Sequence, residues 1–169
     1  MGSAGVVIYD EQLARINSLI GHLLKESDGK CALLVAKDGR TIAKQGFSRA
    51  LDTDQLGALV AGAFAASKGV AELIGETEFT ALFHQGKHES IQIHLLDART
   101  LLVITFDDRT TVGMVRLVTK AVTGALQEVL QTVYANPEAE QLGTLDEISS
   151  TFDAILGSAS GPEPPDSGK

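Results

Sequence analysis

The sequence predicts an α/β protein of the α+β type: a five-stranded antiparallel sheet with helices on both faces, in the order αββαβββα, followed by a C-terminal amphipathic helix. Three observations predict it. Apolar residues recur at three- and four-residue steps in three long segments. Five short segments of strand character are joined mostly by connections too short for parallel crossovers. A chain of 169 residues, 44% hydrophobic and 21% charged, is long enough for one domain with a real core.

The elements follow in order. Asp10 is the expected N-cap of a helix over about residues 11–26, whose apolar stripe is Leu13, Ile16, Ile20, Leu23 and Leu24. "CALLVA" and "TIAKQG" flank Asp38-Gly39, a short-turn hairpin signal. Helical rhythm returns from Asp52 to Gly75, with acids at the start and glycine at the end. Segments 78–84, 89–96 and 100–106 are joined through Gln85-Gly86 and Asp97-Ala98-Arg99, which predicts an antiparallel meander. Thr110 or Thr111 then caps a helix with Val115, Val118, Val122, Leu126, Val129 and Val133 in its stripe, ending at Asn136-Pro137.

This divides the chain into a domain over 1–134, a linker over 135–143, a short helix over 144–156 and a disordered tail over 157–169. In the short helix, Thr144 and Glu147 make a T-x-x-E capping box, and Leu145, Ile148, Phe152 and Ile155 share one face. About twelve residues of helix are marginal alone in water, so this face is expected to dock. The last stretch, "GSASGPEPPDSGK", has a low-complexity composition.

Net charge is −8, of which residues 135–169 contribute −6 through seven acids and Lys169. The acidic balance speaks against nucleic acid, which needs a basic face to displace counterions, and for a protein partner with basic groups. No run approaches 18 apolar residues, and the opening "MGSAGVVIYDEQ" lacks the regions of a secretory signal. With Cys31 as the single cysteine, placed beside "ALLV" as a small core residue, the expected location is the cytoplasm, without membrane attachment.

The stretch "LVAGAFAASKG" is unusual for a helix of such a protein. A helical wheel gathers Leu56, Leu59, Val60, Ala63, Phe64, Ser67, Val70, Ala71 and Ile74 on a sheet-covering side. It places Ala58, Ala61, Gly62, Ala65 and Gly69 opposite, with Lys68 and Glu72 near the end. Gly57, Gly62 and Gly69 together cost about 2–3 kcal/mol of helix propensity, a large share of a typical stability margin. Close approach of another surface would explain that cost, so Ala58, Ala61, Gly62, Ala65, Lys68, Gly69 and Glu72 are the candidate partner- or dimer-binding residues.

The element order, the helix "LVAGAFAASKGVAELIGE", the following "FHQGKHESIQIHLL" and the strand-to-helix turn "VITFDDRTTVGMVRL" together resemble the roadblock family over about residues 6–134. The similarity is strongest to its bacterial branch, which regulates a Ras-like small GTPase in cell polarity and gliding motility. The resemblance implies a homodimer paired through the second helix and a sheet edge, and a GTPase activator with no active site and no cofactor of its own. It implies that two copies engage one GTPase and reposition its own catalytic residues without an arginine finger, and that the C-terminal helix reaches a separate surface. Cell polarity implies concentration at a pole. A non-catalytic roadblock scaffold or adaptor is the alternative, and whether hydrolysis or nucleotide exchange is promoted stays open.

Other chemistry carries less weight. His84, His88 and His94 surround one hairpin without a recognised ligand spacing, so no metal is expected. Asp107-Asp108 precede a helix, where carboxylates commonly serve capping. Arg109 and Arg116 are the residues an inserted arginine would have to be.

Overall fold

The computed structural model describes residues 7–46 and 50–135. The linker from residue 136 on, the helix expected over 144–156 and the tail over 157–169 lie outside the described residues.

Helix α1 (Asp10–Ser27) is followed by β1 (Cys31–Ala36), β2 (Thr41–Gly46), α2 (Thr53–Leu73), β3 (Ala81–Gln85), β4 (Ser90–Leu95), β5 (Thr100–Phe106) and α3 (Val112–Tyr134). The expected order αββαβββα is present. The five strands form one antiparallel sheet in the order β2-β1-β5-β4-β3. The meander β3-β4-β5 and the hairpin β1-β2 are local; the pairing that joins them is β1 with β5, from Cys31 opposite Thr105 to Ala36 opposite Thr100. β1 and β5 are the most apolar strands, and they take the centre because both their faces are covered.

Alternation along the strands builds two layers. Cys31, Leu33, Val35, Ile93, Leu101 and Val103 form a core with Val60 and Phe64 of α2, extended by Leu56, Leu82, Ile91 and Leu95. The other residues of the same strands, among them Leu34, Leu102 and Ile104, face α1 and α3, which bury Ile16, Ile20, Leu23, Val115, Val122, Leu126 and Leu130. α1 and α3 run antiparallel side by side: Gln12 Nε2 donates to Thr132 Oγ1 at 3.1 Å, and Arg15 pairs with Glu128 at 3.6 Å.

The ends of the helices show where local sequence signals act. Tyr9, not Asp10, is the N-cap of α1, and its backbone N–H donates to Gln12 Oε1 at 3.2 Å; Asp10 is the first helical residue, where its charge suits the helix dipole. Asp52 caps α2 by accepting from the backbone N–H groups of Asp54 and Gln55 at 3.1 and 2.9 Å. Thr111 caps α3, its Oγ1 accepting from the Met114 N–H at 3.2 Å. In α3 the inner stripe includes Thr119 and Leu130, while Val118 is only half-buried.

α2 is also long and apolar enough to cross a membrane by length and composition. Lys68 and Glu72 interrupt its apolar run near the end. One side of this helix lies on the sheet, and the other faces outward.

Candidate partner interface on the second helix

The inward arc of α2 consists of Thr53, Gly57, Val60, Ala61, Phe64 and Ala71. Two local features set it. Gly57 passes so close to the β1-β2 turn that a β-carbon built there would lie 3.0 Å from Thr41 Oγ1 and 3.1 Å from the Gly39 carbonyl oxygen. Gly39, at φ +95°, turns the hairpin beneath Ala58. Farther along, Phe64 fills the core, with Lys37 Nζ 5.7 Å from its ring centroid. Lys37 also pairs with Glu78 at 2.6 Å, which ties the hairpin end to the segment following α2.

This arc is rotated from the one the spacing suggests. Ala61, expected at the partner face, is 5% exposed and packs inward. Leu59, Val70 and Ile74, expected on the sheet, are 66%, 55% and 67% exposed. Their places inside are taken by Gly57 and Ala61, because the close approach at Gly39 brings the arc through Gly57 down onto the sheet. A small residue at the first turn, four before Ala61 and seven before Phe64, was the signal for this rotation.

Ala58, Gly62, Ala65, Lys68, Gly69 and Glu72 are all exposed, as expected. They share the outer side with Ala66 and with Leu59, Val70 and Leu73, and of these three large side chains Leu73 is the most exposed. The surface is therefore small-residue ground bordered by large apolar side chains. A β-carbon at Gly62 or Gly69 would meet nothing within 4 Å, so no packing inside the chain requires either glycine. Such a continuous apolar surface on one helix is what an interface presents before its partner is bound.

The remaining candidates lie elsewhere. Strand pairing sets His84 opposite Ile91 and His94 opposite Ala81, which puts the two imidazoles on opposite faces of the sheet. Half-burial pushes the His94 imidazole below the ordinary histidine range. His88 lines a cavity of about 320 Å³ at the start of α3, with Phe83, Lys87, Asp107, Thr110 and Thr111. There Asp107 accepts from the Arg109 backbone N–H at 3.1 Å and from its Nε at 2.9 Å, and those bonds hold its carboxyl below the usual carboxylate range. Lys30 pairs with Glu89 and lies 3.8 Å from Asp107, joining the β3-β4 turn to the β5-α3 turn. Arg116 Nε donates to Oε1 of the buried Gln92 at 3.3 Å. Both arginines thus make contacts within their own chain.

Residues 16–106 match the Roadblock/LC7 domain. No curated protein sequence matches the chain. Among solved structures, Myxococcus xanthus MglB is similar at 37% identity over 75% of this chain and 96% of its own, with a TM-score of 0.70. The gliding protein MglB of Thermus thermophilus is 29% identical over 76% of this chain and 97% of its own, with a TM-score of 0.70. An MglB with a tetrameric arrangement is 27% identical over 78% of this chain and 99% of its own, with a TM-score of 0.74.

Proposed function

The chain belongs to the Roadblock/LC7 family, and from that premise we propose that it is a dimeric activator of a Ras-like small GTPase of the MglA type. The observation that carries this reading is the outer face of α2, where Ala58, Gly62, Ala65 and Gly69 lie exposed between Leu59, Val70 and Leu73. Two-fold pairing of such faces buries apolar surface that one subunit leaves in water, at about 25 cal/mol per Å². The remaining surface, with Lys68 and Glu72, then meets the GTPase.

Activation follows from geometry without a donated side chain. Phosphoryl transfer is limited by positioning and electrostatic stabilisation, so a surface that binds one switch conformation more tightly shifts the GTPase toward its hydrolysing state. The contacts of Arg109 with Asp107 and of Arg116 with Gln92 support a mechanism in which neither is inserted. On this reading the protein acts in the cytoplasm, concentrated at a cell pole, in the control of polarity and gliding.

Phosphate release by an MglA-like GTPase, measured with the full chain and with Ala65→Arg, tests the reading. Stimulation by the native chain that Ala65→Arg abolishes is the expected result. Binding without stimulation assigns the protein to the scaffold and adaptor members instead, and unchanged stimulation by Ala65→Arg removes this face from the mechanism.

A further inference from the structure

On the side of the sheet opposite α2, the outward side of α3 carries a second seam. Met114, Leu117, Ala121, Gly124, Glu128 and Gln131 recur at steps of three, four, three, four and three, and all of them are exposed. This is the 3.5-residue period of helices packed on helices, and it repeats the steps of Val115, Thr119, Val122, Leu126 and Val129 on the buried side. The centre of a solvent face is normally charged, yet the early turns here present Met114 and Leu117, 45% and 66% exposed, and then Ala121 and Gly124. A β-carbon at Gly124 would meet nothing within 4 Å, so no packing among the described residues requires a residue that weakens the helix there.

The charges along the seam select its occupant. In α3 the bases are Arg116 and Lys120 and the acid is Glu128, so the helix is cationic toward its start and anionic toward its end. Lys120 and Glu128 lie about 12 Å apart along the axis and cannot meet within one helix. Two copies of the helix running antiparallel about a two-fold axis bring each Lys120 near Glu128 of the other copy. With the axis between Ala121 and Gly124, those two small residues face each other at the crossing, and Leu117 of each copy covers the methylene stem of Glu128 of the other. Glu128 keeps acceptor capacity for a second cation, because it stands 3.6 Å from Arg15 with both side chains largely in water. A partner of one sign would leave either Lys120 or Glu128 against a like charge, whereas a second copy matches both.

We propose that a second copy of this chain packs on the outer seam of α3 in this antiparallel register, Ala121 against Gly124. The contact is isologous. Two large apolar side chains from each copy make it small, in the transient class below about 1,200 Å², so it forms where the protein is concentrated. It uses the face of the sheet away from α2, and it therefore stands apart from the proposed dimer and GTPase contacts and links such dimers to one another.

Sedimentation velocity of the full chain over a hundredfold range of concentration tests the proposal without any GTPase. The native mass is expected to rise past that of the α2-paired dimer, and Leu117→Asp to stop at the dimer, with circular dichroism unchanged because the position is exposed. Lys120→Glu and Glu128→Lys are each expected to raise the concentration of half-assembly at least fivefold. Their equimolar mixture is expected to return it to within twofold of the native value, since the two reversed charges then face each other. A native chain no heavier than Leu117→Asp at every concentration overturns the proposal. So does a mixture that assembles no better than the separate variants, which removes the antiparallel register. Failure of the α2 pairing reads differently: Leu117→Asp is then a monomer, and the native chain still outweighs it.

Discussion

Gly57 of α2 lies so near Gly39 of the β1-β2 turn that a β-carbon at Gly57 would stand 3.1 Å from the Gly39 carbonyl oxygen. This contact sets the height of the helix over the hairpin and therefore its rotation. Gly57→Leu must push α2 off the sheet, and overpacking of this kind costs about 1–3 kcal/mol. The expected outcome is a lower urea midpoint with an unchanged slope.

Gly62→Leu should behave in the opposite way. Nothing lies within 4 Å of a β-carbon there, so the chain keeps its fold and gains up to about 1 kcal/mol of helix propensity. Self-association and stimulation of the GTPase are expected to fall at least tenfold, measured by light scattering and phosphate release. A variant that still associates like the native chain removes Gly62 from the interface.

Phe64 is 2% exposed and is the largest side chain of α2 in the core. Phe64→Ala leaves a cavity under Lys37 and should cost about 3–5 kcal/mol. Denaturant unfolding reads that loss directly.

Asp107 contributes to the acid limb of stability. Arg109 holds its folded carboxyl below the ordinary value, so the stabilisation is present above about pH 4 and is lost as the pH falls through the lowered folded value. Asp107→Asn should be less stable than the native chain at pH 7, and the difference should vanish near pH 2 in urea titrations. His94, lowered by burial, adds a second loss of stability as the pH falls below about 6.5, which His94→Gln should remove.

Cys31 sits 1% exposed in β1, and burial pushes its thiol up from the ordinary value. Reaction with a thiol reagent at neutral pH should therefore follow unfolding and not the native state. Rapid modification of the native chain would contradict the packing of β1.

The exposed face of α2 was partly legible in the sequence. Glycines that lower helix propensity at Gly62 and Gly69 pointed to close contact, and both are exposed with open space above them. Ala61 and Leu59 were exchanged between the two sides because both arcs of α2 are apolar and a wheel has little contrast from which to choose. The exposure of Leu73 escaped for the same reason. Asp107 and Asp108 were legible as carboxylates placed before a helix, but the partners Lys30 of Asp107 and Gln92 of Arg116 are distant in sequence.

By itself the sequence determined what depends on neighbours along the chain: the order αββαβββα, the hairpin at Asp38-Gly39, the cap at Asp52 and the antiparallel meander. Periodicity and turn chemistry are local, and they survive folding unchanged. Only the tertiary structure decided that β1 pairs with β5 at the centre of the sheet and that α2 turns Ala61 inward and Leu59 outward. Those choices rest on contacts between distant residues, where the most apolar strands take the doubly covered positions and the approach of Gly57 to Gly39 fixes which arc of the helix can touch the sheet.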